Sequence, residues 1–164
     1  MVTSITISAV FASRKRTALH PFICSLMTLP PPHKRMASCM WLPRIIAKAR
    51  LLQADMLPDD YMLRFCATTG VDGQFLSFFG ITRQDVLAIA PHTNRAVIAW
   101  FKALPTAKLS RIKKWNQLAE SLGRPGMPMA ERLEYAKTSV YSHLDTSRVE
   151  TIFQMLELDA ASEI

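Results

Sequence analysis

Between Trp41 and Thr82 the chain reads WLPRIIAKARLLQADMLPDDYMLRFCATTGVDGQFLSFFGIT, and helix-start and helix-stop signals follow each other through it in quick succession. Pro43 suits a first helical turn, where its missing N–H would have no intrahelical partner anyway. Ile45, Ile46, Ala49 and Leu52 then share one side of a helix, with Arg44 and Lys48 four apart on another. Pro58-Asp59-Asp60 stops and restarts the chain, and a short turn from Tyr61 to Phe65 follows. Asp72 is placed to cap a helix carrying Phe75, Leu76, Phe78 and Phe79, and Gly80 stands where a left-handed stop belongs. Thr82 and Asp85 have capping-box spacing, although Asp replaces the usual Glu or Gln. They open a helix with Val86, Leu87 and Ile89, which Pro91 closes. A chain interrupted this often is built from short helices.

The second half follows the same logic. Thr93 or Asn94 caps a helix with Val97, Ile98, Phe101 and Leu104, ended by Pro105. Thr106 begins another with Leu109, Ile112, Trp115, Leu118 and Leu122, and residues 123–128 (GRPGMP) form the clearest loop. Met129, Leu133, Ala136 and Val140 keep a helical period, as do Val149, Ile152, Phe153 and Leu156. No stretch alternates with period two for long enough to require a strand, except in the N-terminal region. The pattern predicts an all-α fold: one domain of six or seven short helices over residues 39–160, with an N-terminal extension over 1–38 and a short tail over 161–164.

The formal charge of +7 invites thoughts of nucleic acid, but its distribution argues otherwise. Eight of the 20 Lys and Arg residues precede Asp55, the first acidic residue, so the rest of the chain sets 12 cations against 13 anions. Residues 1–35 hold five cations, no acid and Pro30-Pro31-Pro32. They read as a translation start placed too far upstream or a disordered tail, with an organellar transit peptide as the alternative. Cys24, Cys39 and Cys66 make an odd, widely spaced set that points away from a disulfide framework and towards a reducing cytoplasm. The longest uncharged run, residues 17–32, is broken by His20 and its prolines and falls short of the roughly 20 apolar residues a bilayer span needs.

Few residues carry an overt chemical signature. His20, His33, His92 and His143 are scattered without the paired spacing of a zinc site, so no metal and no cofactor are expected. Cys66 has Arg64 nearby, yet a lone cysteine of this kind usually packs as a small hydrophobe. Asp59, Asp60 and Asp72 can act as catalytic carboxylates only if a cleft gathers them, and each already serves a turn or a cap. Arg44 and Lys48 form a cation pair able to hold a phosphate or carboxylate, although solvation or pairing with Asp59 and Asp60 would also explain it. Arg111, Lys113 and Lys114 flank Trp115, whose register places it in the core. No glycine-rich phosphate loop is present. Phe75, Phe78 and Phe79 cannot all point one way on a helix, so one ring meets another element or a partner such as a second copy of the chain.

Trp41–Arg50 (WLPRIIAKAR) and Val71–Thr82 (VDGQFLSFFGIT) resemble the bacterial domain-of-unknown-function family 5069. A looser likeness runs through Ala99-Trp100-Phe101, the Trp115-Asn116 helix and Leu156–Asp159, so it spans residues 40–160. The resemblance implies a compact helical domain and a bacterial cytoplasm, and it brings no site residues. It leaves residues 1–35 outside, which favours the upstream-start reading. The expected role is a module for ligand binding or protein interaction. Arg44 and Lys48, beside Asp59, Asp60, Asp72 and Gln74, would hold an anionic ligand or an acidic partner. The alternatives are a small enzyme combining those carboxylates with Arg44 and, more remotely, association with nucleic acid. No membrane partner is expected.

Overall fold

The computed structural model describes residues 29–162, so the readings of residues 1–28 and of the last two residues lie outside the described part. A two-residue turn joins strands β1 (Arg35–Met36) and β2 (Cys39–Met40). Ala37 and Ser38 both take positive φ, as a tight hairpin with the right-handed strand twist demands. This hairpin falls where the sequence pattern promised only a tail. It has no long alternating run because its backbone is held by side chains from elsewhere. Asn116 accepts from the Met40 amide at 3.0 Å and donates to the Ser38 carbonyl at 2.9 Å, while the Trp115 indole donates to the Met40 carbonyl at 3.0 Å.

Eight α-helices follow among the described residues: α1 (Leu42–Gln53), α2 (Asp59–Met62), α3 (Val71–Phe79), α4 (Arg83–Ile89), α5 (Asn94–Ala103), α6 (Leu109–Ser121), α7 (Ala130–Tyr135) and α8 (Ile152–Ser162). The all-α reading stands, with the small hairpin added. Several boundaries follow the signals in the sequence. The Thr82–Asp85 capping box opens α4, the Thr93 hydroxyl accepts from the Ala96 amide at the start of α5, and Gly80 ends α3 at φ 64°. Two do not. Helix α6 starts at Leu109 and not at Thr106, whose hydroxyl donates to the Phe79 carbonyl at 2.6 Å and so ties the preceding loop to α3.

The Met129–Val140 pattern also fails as one regular helix, because α7 widens into a π-turn over Ala136–Val140. Tyr141 donates back to Ala136 at 2.8 Å, and the Thr138 hydroxyl takes the Glu134 carbonyl at 2.9 Å. Leu133 stays buried, but Val140 is turned towards solvent.

The core is aromatic where α3, α5 and α6 meet. Phe75 lies 5.3 Å from Trp115 edge to face, and Phe79 lies 5.1 Å from Phe101. A second layer joins α1 to α8 through Trp41 and Phe153, stacked at 5.5 Å. Arg50 fastens α1 to the α4–α5 corner, donating to the carbonyls of Ala90 and His92 and to Asn94.

Helix α3 sits unusually close to the loop before it. A Cβ on Gly73 would lie 2.4 Å from the Ala67 carbonyl oxygen, whereas one on Gly80 would meet nothing within 4 Å. Gly73→Ala should therefore cost at least about 2 kcal/mol, because backbone must move to admit a methyl group. Gly80→Ala should cost only the roughly 1–2 kcal/mol of a left-handed alanine. Urea unfolding of the two variants reads the difference, and equal losses would contradict the close approach.

Candidate functional site

Trp41 makes the turn from β2 into α1 in a single residue. Side chains of α6 hold both backbone groups of Met40, and Trp41 next to it takes a left-handed conformation at φ 71°, strained for an aromatic residue. The turn sends its indole inward, where it donates to Asp72 Oδ1 at 2.8 Å. Trp41, Arg44 and Lys48 stand at i, i+3 and i+7, so one face of α1 presents the ring and both cations. Lys48 Nζ sits 4.9 Å from the Trp41 ring centre and the Arg44 guanidinium carbon 5.5 Å from it.

Asp72 is not the cap of its helix. Gly70 holds the cap position of α3, and Asp72 lies in the first turn with its carboxylate buried. Lys48 Nζ donates to both oxygens, at 3.0 and 3.1 Å, and the Cys66 amide donates to Oδ2 at 3.1 Å. With Trp41, that makes three donor groups around one carboxylate. Cys66 reaches it by adopting φ 58°, a second strained residue beside the same group. Burial pulls the Lys48 ammonium below its ordinary range, and Asp72 opposes that pull.

Arg44 is 6 % exposed and differently placed. Its Nη1 donates to the Pro30 carbonyl at 2.8 Å, but its Nε–H has no hydrogen-bond partner among the described residues. Burial lowers its pKa, and the neighbouring Tyr61, Asp72 and Asp159 act against that. Asp159, on α8, accepts from the Tyr141 hydroxyl at 3.2 Å. Burial, reinforced by Asp159, pushes the Tyr141 phenol up to about 12, so it is a proton donor at neutral pH. Tyr61, Tyr141 and Asp159 are half-buried.

The fold thus gathers Arg44, Lys48 and Asp72 from the sequence-derived set, with Gln74 half-buried two residues further along α3. Asp59 and Asp60 stand exposed on α2, and Lys48 pairs with Asp72 instead of with them.

The family model for a domain of unknown function, DUF5069, matches residues 28–162. The chain belongs to the DUF5069 family. The match begins close to Pro30, so it includes the segment that covers Arg44. No curated protein and no solved structure matches the chain. No helix among the described residues is long and apolar enough to cross a membrane.

Other candidates in this DUF5069 domain are accounted for locally. All three clustered phenylalanines have partners in the chain: Phe75 and Phe79 are buried, and Phe78 lies between Trp115 and the Arg111 guanidinium. Arg111 also donates to the Phe78 carbonyl, while Lys113 and Lys114 are exposed. The Cys66 thiol is pushed up to about 12, chiefly by burial, which keeps it protonated and poorly nucleophilic. Among the described residues no three His, Cys, Asp or Glu side chains cluster to hold a metal. A groove of about 980 Å³ runs past Arg124, Glu131, Glu134 and Lys137, and one of about 350 Å³ past Lys108, Arg111 and Lys114. Neither borders Arg44, Lys48 or Asp72.

Replacing Asp72 by Asn would leave the Lys48 ammonium buried without a counter-charge, and breaking such a pair costs about 3–5 kcal/mol. Asp72→Asn should therefore be severely destabilised in urea unfolding. Adding Lys48→Met should restore part of the loss, since the unpaired ammonium is gone and the single Asn oxygen can still accept from either Trp41 or Cys66. A double variant no more stable than the single one would contradict this assignment.

Proposed function

We propose that this DUF5069 protein is a small ligand-binding module whose site is built on Arg44 and takes a carboxylate-bearing molecule. The observation that carries this reading is the Arg44 Nε–H, buried and without a partner among the described residues. Buried polar groups are almost always satisfied, and one left open costs about 1–3 kcal/mol. Asp72 does not relieve the deficit, because its oxygens are taken by Trp41, Lys48 and Cys66. The planar guanidinium is the side chain best suited to a two-oxygen anion, and here the Trp41 ring lies against it.

Strain supports the same location. Trp41 and Cys66 are both held at positive φ beside this cluster, and such residues concentrate where function requires a fixed geometry. The Pro30 carbonyl already occupies Nη1, so the segment bearing Pro30 is the cover that an incoming ligand meets. Among the described residues no free nucleophile stands beside Arg44, which favours binding over turnover.

The test separates a binding arginine from a structural one. A buried charge kept for structure destabilises the protein when removed, whereas one kept for a ligand is costly to the empty protein. Arg44→Met should melt at the same temperature as wild type or higher without ligand. Acetate, compared with chloride at equal ionic strength, should raise the wild-type melting temperature by mass action, about 2.7 kcal/mol at a hundred times Kd. The variant should show no rise. A destabilised Arg44→Met, together with a wild type indifferent to acetate, would refute the reading.

A further inference from the structure

We infer that the groove of about 350 Å³ between the Pro105–Thr106 loop and the first two turns of α6 binds the phosphate group of a small phosphate monoester, held by Lys108, Arg111 and Lys114. This site is separate from Arg44 and stands or falls without it.

The charge there is unbalanced. Residues 86–119 hold six Lys and Arg residues and no Asp or Glu, so these cations have no counter-ion nearby in sequence. The fold brings none to the groove either. Pro105, Thr106, Lys108, Ser110, Arg111 and Lys114 line it without a carboxylate, and none of the three cations enters a salt bridge among the described residues. The larger groove past Glu131, Glu134 and Lys137 differs, since its walls carry both signs.

The arginine is also set in advance. Arg111 lies over the Phe78 ring, its guanidinium carbon 4.9 Å from the ring centre, and donates to the Phe78 carbonyl from Nε at 3.2 Å and from Nη2 at 2.7 Å. Those bonds use one edge of the guanidinium. The other edge, with Nη1, makes no hydrogen bond among the described residues, and such an edge matches two oxygens of a phosphate. Holding the side chain beforehand removes part of the ordering cost of binding. The loop opposite is tied as well, because the Thr106 hydroxyl donates to the Phe79 carbonyl at 2.6 Å. That leaves Ser110 as the lining hydroxyl able to donate to a ligand.

Size and surroundings select among anions. The volume lies at the lower end of the roughly 300–1,000 Å³ of small-molecule sites. Three cations exceed what one carboxylate needs and suit a dianion. A single-stranded nucleic acid would want open aromatic faces for its bases. Trp115 is buried, and the Phe78 ring is taken up by Arg111, Phe79 and Trp115, so neither ring is open beside the groove.

Titration of the full chain with phenyl phosphate at fixed ionic strength tests this, followed through the backbone 1H–15N signals of Lys108, Ser110 and Arg111. Those signals should move saturably. Lys108→Gln combined with Lys114→Gln should weaken binding about tenfold or more, the scale of one lost charge-assisted hydrogen bond. Both lysines are exposed, so this double variant keeps the fold. Arg111→Lys should weaken binding too, since an ammonium does not replace the planar fork. Arg44→Met should leave the affinity unchanged. Signals unmoved by phenyl phosphate, or a double variant that binds as well as wild type, would overturn the site. An octathymidylate that binds more tightly than phenyl phosphate would overturn the ligand class in favour of nucleic acid. If phenyl phosphate binds here and acetate does not bind at Arg44, only the Arg44 reading is lost.

Discussion

The Asp72 carboxylate organises this domain because three separate parts of the chain give up a donor to it. Trp41 brings the junction between the hairpin and α1, Lys48 the middle of α1, and Cys66 the loop before α3. None of these elements is long enough to be stable in isolation, since short helices are marginal in water without tertiary contacts. The hub also sets a demand on its surroundings. Gly73 must be a glycine so that α3 can approach residues 67 and 68, and that approach brings the Cys66 amide within reach of Oδ2. Two residues accept left-handed backbone for the same carboxylate.

Against that saturated group, Arg44 stands out by contrast. It lies one turn from Lys48 on the same helix, is equally buried, and shares the same ring, yet one of its donors is left over. Desolvating a guanidinium is expensive unless its hydrogen bonds are made. A chain that satisfies one buried charge with three donor groups and leaves the next one open is spending stability at a particular place. Function is the ordinary reason for such an imbalance, and it is the ground for the proposed site at Arg44.

Much of the fold was legible from the sequence because helix ends are written in local chemistry. The Thr82–Asp85 box, the Thr93 cap and the Gly80 stop depend on residues within one turn of each other. The hairpin was not legible, because its backbone is satisfied by Trp115 and Asn116, over 70 positions away. The single helix expected over residues 129–140 widens into a π-turn where a threonine hydroxyl also bonds the Glu134 carbonyl, a local detail that periodicity does not register. Arg44, Lys48 and Asp72 were singled out by type, but their burial and their partners were not foreseen. Solvation or pairing with Asp59 and Asp60 was weighed beside ligand binding for the cation pair, although Trp41 at i−3 from Arg44 marked that face as one that turns inward. Asp72 looked like a cap because capping is the common use of an aspartate before a helix, and only the tertiary partners reveal the hub. Tyr61, Asp159 and Pro30 had no sequence signal linking them to Arg44. They are joined to it by topology alone.

The most direct measurement is the 1H–15N NMR signal of the Arg44 side-chain Nε–H. This proton is shielded from exchange by burial and is identified by its loss in Arg44→Met. Before ligand is added it should resonate as a group without a strong acceptor, and titration with a small carboxylate should move it saturably downfield as a charge-assisted hydrogen bond forms. A signal already shifted in the free protein, and unmoved by any carboxylate, would show that Arg44 is internally satisfied and contradict its assignment as the binding group.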